Sequence, residues 1–490
     1  MPQPVPSGLV HRLLADAAAD CPHAIAVRDA RGAWTYGQVA ELADLVARRL
    51  AGLGNGERVV AMLPNRREAA PLWFGCARAG AVFVPVHPGT KSYRLRAILG
   101  DAQPALVLVE DDQVATVRAL TSARVLGLTE FWRELDAAAG ELPAEPAPGD
   151  VVTLIYTTGS TGTAKAVVCP HAPTVFAARA ISEVLGYRPE DVVYCAVPLA
   201  FDYGLYQILL ATIARAELVL APGVDSLRLL RGVRATGATV VPLVPSLART
   251  LIALAVRTPG PSAVRLFTNT GETLPPAVTA QLRTHFPGAR VALMFGTTEC
   301  KRISIQEPDA DLTKPGALGK PLPGTEVTIV DAGGAALPAG QTGEIVVTGP
   351  HVMAGYWRAP ELTSITFRPD GLHTGDHGWR DDDGQLYFAG RRDSLFKRRG
   401  VRMSTAEIEA AALDVPGVTA AVVLAPDGDR DLTICAVTAL GPDEVLSALA
   451  ERLESEKVPS VCEVLADLPL TPNGKAARRQ LARQIAVEER

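Results

Sequence analysis

The stretch Tyr156-Thr-Thr-Gly-Ser-Thr-Gly-Thr-Ala-Lys-Ala166 directly follows an apolar run, Val151-Val-Thr-Leu-Ile-Tyr156. Gly159 and Gly162 let a backbone come close to a ligand, Thr157, Thr158, Ser160, Thr161 and Thr163 supply hydroxyl donors, and Lys165 adds charge. Those are the parts of a phosphate cradle. It is not a Walker A loop, in which Lys directly follows the second glycine; here two residues separate Gly162 from Lys165. His373 and His377 stand four apart, but Gly375 and Gly378 break the helix that a zinc-binding HExxH pair would need. The seven cysteines form no CxxC pair, which fits a reducing cytoplasm without structural zinc.

The elements around the cradle read as an α/β protein. From Ile25 to Val109, apolar runs such as Arg58-Val-Val-Ala-Met-Leu63 and Ala81-Val-Phe-Val-Pro-Val86 alternate with helical stretches such as Tyr36 to Leu53. That alternation predicts βα units around a mostly parallel sheet. Val151–Tyr156, Val192–Val197, Glu217–Ala221 and Thr239–Val244 continue it as buried strands. From Thr325 the pattern becomes short strands with tight turns, as at Asp331-Ala-Gly-Gly334, which predicts a small barrel-like module. After Gly390 a basic, Gly-punctuated linker leads to Ser404-Thr-Ala-Glu407, a capping box at a helix start. A helix, two strands, another helix and a terminal helix are expected to follow, making a small mobile α+β C-terminal domain. The predicted division is a large N-terminal domain of βα-layered sheets, 1–392, and a C-terminal domain, 393–490.

Composition excludes several function classes. With 48 Lys+Arg against 53 Asp+Glu the formal charge is −5, and no block of like charge offers a nucleic-acid or anionic-membrane surface. The most apolar stretch, Val240 to Val256, contains Pro242, Pro245 and Arg249, so no spanning helix is expected. The N-terminus lacks a basic region followed by an apolar one, and a cytoplasmic location is expected.

The cradle resembles the phosphate loop of the adenylate-forming superfamily, which comprises acyl- and aryl-CoA synthetases, nonribosomal-peptide adenylation domains and beetle luciferases. Further stretches resemble that family's motifs in order: Phe295-Gly-Thr-Thr-Glu299, Gly343-Glu-Ile-Val-Val-Thr-Gly349, Gly355-Tyr-Trp-Arg-Ala-Pro-Glu-Leu-Thr363, Thr374-Gly-Asp376, Gly390-Arg-Arg-Asp393 with Lys397-Arg-Arg-Gly400, and Leu468-Pro-Leu-Thr-Pro-Asn-Gly-Lys475. Two departures stand out: the loop ends Ala164-Lys165-Ala166 rather than Pro-Lys-Gly, and Phe295 replaces the commoner Tyr.

The resemblance implies an ATP-dependent ligase. A carboxylate attacks the α-phosphorus to give an acyl-adenylate and pyrophosphate, and a thiol then displaces AMP. It implies that Thr157, Thr158, Gly159, Ser160, Thr161, Gly162 and Lys165 hold the β- and γ-phosphates, that Thr298 contacts the α-phosphate, and that Glu299 binds Mg²⁺. Asp376, with Arg391 nearby, would take the ribose hydroxyls, while Phe295-Gly296 and Gly271-Glu272-Thr273 flank the adenine. Lys475 would bridge the substrate carboxylate and the α-phosphate. Asp393 matches the family's hinge, and Gly400 the glycine of its pantetheine tunnel.

Pro198-Leu-Ala-Phe-Asp-Tyr-Gly204 matches the place where peptide-synthetase domains carry Phe-Asp, so Asp202 is expected to pair with an amino-acid ammonium. A buried carboxylate is costly unless paired. By the same resemblance Tyr203, Tyr206, Thr268, Thr270, Met294, Arg302 and Ile303 line the pocket. The tyrosines and Met294 suggest a small or cyclic side chain, with proline the first guess; Arg302 pointing inward would favour an acidic one, whereas its other reading is an arginine salt-bridged at the pocket rim, and a neutral or aryl acid with Asp202 as a structural hydrogen-bonder is the alternative to an amino acid. The chain stops shortly after Lys475, so a stand-alone activator is expected, loading a phosphopantetheinyl carrier protein in trans. Alternatives are an acyl- or aryl-CoA ligase, with coenzyme A as acceptor and Arg398, Arg399 and Arg402 to hold it, a luciferase-like oxygenase, or a non-catalytic adenylate-binding relative.

Overall fold

The structure, a computed structural model, describes residues 8–135, 138–158, 164–221, 226–272, 274–391, 395–398, 401–426, 431–453, 457–470 and 476–488. Among these residues two large sheets carry most of the N-terminal part. One has six strands in the spatial order Arg124–Gly127, Leu106–Val109, Arg58–Met62, Val82–Val86, Val151–Thr158, Ala164–Pro170. The first five run parallel and the last turns back as a hairpin. Val82–Val86 and Leu106–Val109 are buried along their whole length, as strands are when helices cover both faces of a parallel sheet.

The second sheet has nine strands in the order Lys320–Pro321, Ser304–Ile305, Arg290–Phe295, Leu266–Asn269, Val240–Leu243, Val192–Cys195, Glu217–Leu220, Ile25–Asp29, Gly32–Thr35. It is parallel from Arg290–Phe295 to Ile25–Asp29 and antiparallel at both edges. Helices pack against these sheets at close quarters. Helix Tyr36–Leu50 starts on a capping box in which the Thr35 hydroxyl and the Gln38 side chain satisfy each other's backbone N–H groups. Against it lies helix Ala69–Ala79, where a Cβ at Gly75 would come 2.5 Å from the Val46 side chain.

The expected small module is an antiparallel sheet of Glu326–Val330, Gly343–Thr348, Phe367–Arg368, Gly371–Arg380 and Leu386–Arg391. Its own core of Val327, Ile329, Ile345, Val347, Leu372 and Leu386 includes Cys300 and Ile303 from the loop after Arg290–Phe295, which ties it to the large sheet.

In the C-terminal domain, helix Thr405–Leu413, strands Val418–Leu424 and Thr433–Thr438, and helices Pro442–Ala450 and Arg478–Glu488 follow the expected order. Two elements depart from the sequence reading. Strand Val461–Leu465, not anticipated, pairs in parallel with Thr433–Thr438; it is an edge strand buried only at Cys462, so its sequence lacks a continuous apolar run. The stretch read as a basic linker contains a hairpin of Leu395–Arg398 with Val401–Ser404, whose interspersed arginines and lysine masked the strand signal. Among the described residues no helix is long and apolar enough to cross a membrane.

Candidate active site

In open parallel sheets ligands bind beyond the carboxyl ends of the strands, and the chain's chemistry gathers there. Leu266–Asn269 runs out into Thr270, Gly271 and Glu272; Arg290–Phe295 into Gly296 to Glu299; and Val192–Cys195 leads on to Asp202, the first residue of helix Asp202–Ala214. Gly296 is where the second segment folds sharply: a Cβ would come 2.4 Å from the Lys301 carbonyl oxygen and 2.6 Å from the Arg302 Cα. Behind it the Ile303 N–H donates to the Phe295 carbonyl at 2.8 Å, and Lys301 sits at φ 66°, a left-handed conformation uncommon outside glycine.

The phosphate-loop hairpin carries Thr157 opposite Lys165 and Thr158 opposite Ala164, with the Thr157 hydroxyl 3.4 Å from the Lys165 carbonyl. Lys165 Nζ donates to Tyr356 Oη at 2.9 Å, and Tyr356 Oη donates to Glu299 Oε1 at 2.6 Å. Lys165 Nζ is also 3.4 Å from that Glu299 oxygen and 4.3 Å from the Tyr356 ring centroid. Burial pushes the Glu299 carboxyl up, but the Tyr356 hydrogen bond and the Lys165 charge outweigh it and hold the group below the usual carboxylate range. Burial, reinforced by Glu299, raises the Tyr356 phenol, which keeps it a donor. Ala166, which departs from the family's glycine, is an ordinary strand residue paired with Tyr156 and accepting from the Trp357 N–H at 2.9 Å.

Asp376, 2% exposed, lies opposite Arg391 on paired strands and accepts from Arg391 Nε at 2.8 Å. Phe295 packs on Phe388 with ring centroids 5.6 Å apart. His373 spends both ring nitrogens on carboxylates, Nδ1 on Glu344 at 3.0 Å and Nε2 on Asp370 at 3.1 Å.

A further set of charged side chains gathers where helix Asp202–Ala214 begins. Arg302 Nη1 is 3.7 Å from Asp202 Oδ2, the two side chains 6% and 18% exposed, and the guanidinium lies 5.2 Å from the Tyr203 ring centroid. Asp202 opens its helix, where the free N–H groups favour a negative charge. Tyr203 is committed inward: its hydroxyl bonds Thr268 at 2.7 Å and 2.8 Å and accepts from the Leu243 N–H. Met294, Thr270 and Ile303 are buried as well, Met294 in the same core as Tyr203 and Ile303 in that of the small antiparallel module. Lys301, which the sequence reading passed over, is buried; its Nζ donates to the Thr298 carbonyl at 2.9 Å, touches Cys169 Sγ at 3.3 Å and faces the Tyr206 ring at 5.6 Å. Its signal was adjacency to Arg302. Tyr356 was part of a recognised motif, but nothing in sequence pointed its hydroxyl at Lys165 and Glu299.

The structure thus brings together Thr157, Lys165, Glu299 and Tyr356 in one group, Asp376 and Arg391 in a second, and Asp202, Tyr203, Thr268 and Arg302 in a third. Gly159, Ser160, Thr161, Gly162, Thr273, Asp393, Arg399, Gly400 and Lys475 lie outside the described residues, as do the side chains of Thr158, Arg398, Arg402 and the capping-box pair Ser404 and Glu407. Leu470 and Ala476 pair across the segment that holds Lys475.

The profile of the AMP-binding enzyme family matches residues 14–357, and that of the AMP-binding enzyme C-terminal domain matches 407–475. The L-proline–[L-prolyl-carrier protein] ligase of Streptomyces coelicolor is 33% identical over 487 residues, which cover 91% of each protein. Among solved structures, VinN in complex with L-aspartate is 45% identical, covering 78% of this chain and 98% of that one at a TM-score of 0.73. ATP-bound MatB from Rhodopseudomonas palustris is 27% identical, covering 97% and 98% at a TM-score of 0.89. With its fold, its ordered motifs and both family profiles in agreement, the chain belongs to the AMP-binding enzyme family and is an AMP-forming ligase that adenylates a carboxylate.

Proposed function

We propose that this ligase activates a small amino acid bearing a second carboxylate, of the aspartate type, and passes it as a thioester to the phosphopantetheine of a separate carrier protein. The observation that carries this reading is a pair of buried cations beside a single carboxylate. Lys301 and Arg302 are 1% and 5% exposed, and among the described residues Asp202 is the only carboxylate within ion-pair distance of either. Buried cations lacking anions are costly, and an anionic ligand relieves that cost. Asp202 then takes the substrate ammonium while Arg302 and Lys301 take the second carboxylate. Proline, the expectation from pocket size, offers these cations nothing. The similarity to VinN, whose solved complexes hold L-aspartate and 3-methylaspartate, supports the dicarboxylic reading. The similarity to a proline–carrier protein ligase supports the carrier.

In the first half-reaction a substrate carboxylate oxygen attacks the α-phosphorus and pyrophosphate leaves. In the second a thiolate sulfur attacks the acyl carbon and AMP leaves. Two anions meet in the first step, so fixed donors matter; one such donor is worth about 10²–10³ in rate where measured. Lys475 is assigned to the carboxylate and α-phosphate, Thr298 to the α-phosphate, and Thr157 to Lys165 to the β- and γ-phosphates. Asp376 with Arg391 takes the ribose, and Phe295, Gly296, Gly271, Glu272 and Thr273 enclose the adenine. The residues present fit Mg²⁺: Glu299 is a part-buried carboxylate held below the usual carboxylate range by the Tyr356 hydrogen bond and the Lys165 charge. One carboxylate plus substrate phosphates is how Mg²⁺ is usually held. When bound, the ion neutralises phosphate charge. Asp393 as hinge and Gly400 in the thiol tunnel complete the assignment, with the domains dividing at 392/393.

The test is intact-mass analysis after incubation with ATP, Mg²⁺ and L-aspartate, with a phosphopantetheinylated peptidyl carrier protein or coenzyme A as acceptor. An aspartyl adduct on the carrier is expected. Product on coenzyme A alone would make the enzyme a CoA ligase, and no adduct on either acceptor from L-aspartate or a closely related amino dicarboxylic acid would overturn the dicarboxylic reading.

A further inference from the structure

The contact of Tyr356 with both Lys165 and Glu299 joins two groups that the proposed function uses separately. A phenol has one proton to donate and lone pairs to accept with, so a single hydroxyl can serve both neighbours at once. It donates to Glu299 Oε1 and accepts from Lys165 Nζ.

The three partners differ in how firmly they are held. Tyr356 is anchored by backbone: Val168 N–H donates to the Gly355 carbonyl and Trp357 N–H to the Ala166 carbonyl, each at 2.9 Å, so its segment extends the phosphate-loop hairpin. Its own N–H donates to Thr363 Oγ1 at 2.9 Å, and its ring stands edge-on to Phe367 at 5.4 Å. Glu299 is fixed too, its carbonyl accepting from the Met353 N–H at 2.9 Å and its side chain 13% exposed. Lys165, at 28% exposed, is the most open of the charged pair and sits on a flexible stem.

We propose that Tyr356 is a positioning residue for the metal-assisted step: its hydroxyl fixes one oxygen of Glu299, leaving the other for the metal, and holds the Lys165 ammonium beside it until a triphosphate draws the lysine away. This rests on the assignment of Glu299 to the metal and Lys165 to the phosphates. The side chain touches neither metal nor nucleotide; it acts through its two neighbours.

The test is Tyr356→Phe, which keeps the ring and its packing and removes only the hydroxyl. Mn²⁺ binding is measured by electron paramagnetic resonance with α,β-methylene-ATP present, and the Mg²⁺ dependence of ATP–pyrophosphate exchange is measured alongside. The metal dissociation constant is expected to weaken about 10-fold, the loss typical of one charge-assisted hydrogen bond, with half-saturating Mg²⁺ rising in parallel. Exchange at saturating metal should stay within about 3-fold of the parent and AMP affinity should be unchanged. An unaltered metal constant, or equal losses of metal and AMP binding, would overturn the proposal. Glu299→Gln separates it from the assignment beneath: if that variant loses Mn²⁺ and Tyr356→Phe does not, the positioning role alone falls, whereas unchanged binding in Glu299→Gln removes the metal assignment and the proposal with it.

Discussion

Removing the Asp202 carboxylate would leave Arg302 buried over the Tyr203 ring without its ion-pair partner, and would leave a bound amino acid with no anion for its ammonium. Breaking such a pair costs about 3–5 kcal/mol, so Asp202→Ala should lower exchange with L-aspartate by about 10²–10³ in kcat/KM. Exchange with succinate, which lacks the amino group, should not fall. Equal losses on both acids would contradict the ammonium role. Arg302→Ala should raise the KM for L-aspartate far more than that for alanine, and a uniform rise would contradict the second-carboxylate site. Much of this was legible in the chain because Asp202 and Glu299 sit inside recognisable motifs. What was not legible is direction: sequence does not show that Arg302 pairs with Asp202, and passes over Lys301 entirely, because burial of a long cation depends on the fold of the loop around Gly296.

The loop from Gly296 to Arg302 is the element that sets this geometry. With the Lys301 carbonyl 2.4 Å from where a Cβ would stand, Gly296→Ala must push the backbone apart. Over-packing of this kind costs about 1–3 kcal/mol, and here the displaced atoms are the backbone of Lys301 and Arg302. The variant should lose exchange activity by at least about 10-fold while its thermal midpoint falls only by a few degrees; an active Gly296→Ala enzyme would show that the tight fold is not needed. Elements whose apolar runs are continuous, such as Val82–Val86, could be read from sequence; the edge strand Val461–Leu465 and the hairpin after Leu395 could not, since their pairing rather than their burial makes them strands.

At the scale of the whole molecule, two buried histidines, His171 and His351, make stability depend on pH on the acid side. Burial lowers His171 and His351 from 6.5 to about 4 each, and His171 Nδ1 is occupied in accepting the Val10 N–H at 3.1 Å. Both therefore take up protons more readily in the unfolded chain. Their contribution to stability is intact above pH 6.5 and is lost as pH falls from there toward 4. The thermal midpoint should drop between pH 7 and 5, and less steeply in His171→Asn; a midpoint independent of pH over that range would contradict the buried-neutral assignment. The alternation of strands and helices, the motif order and the change of character after Gly390 made the layered fold legible. The measurement that bears most directly on the central claim is ATP–pyrophosphate exchange across the proteinogenic amino acids, their des-amino analogues and common aryl acids. Exchange with L-aspartate or a closely related amino dicarboxylic acid, and little with proline, is the expected result; exchange with proline, or with aryl or monocarboxylic acids alone, would contradict it.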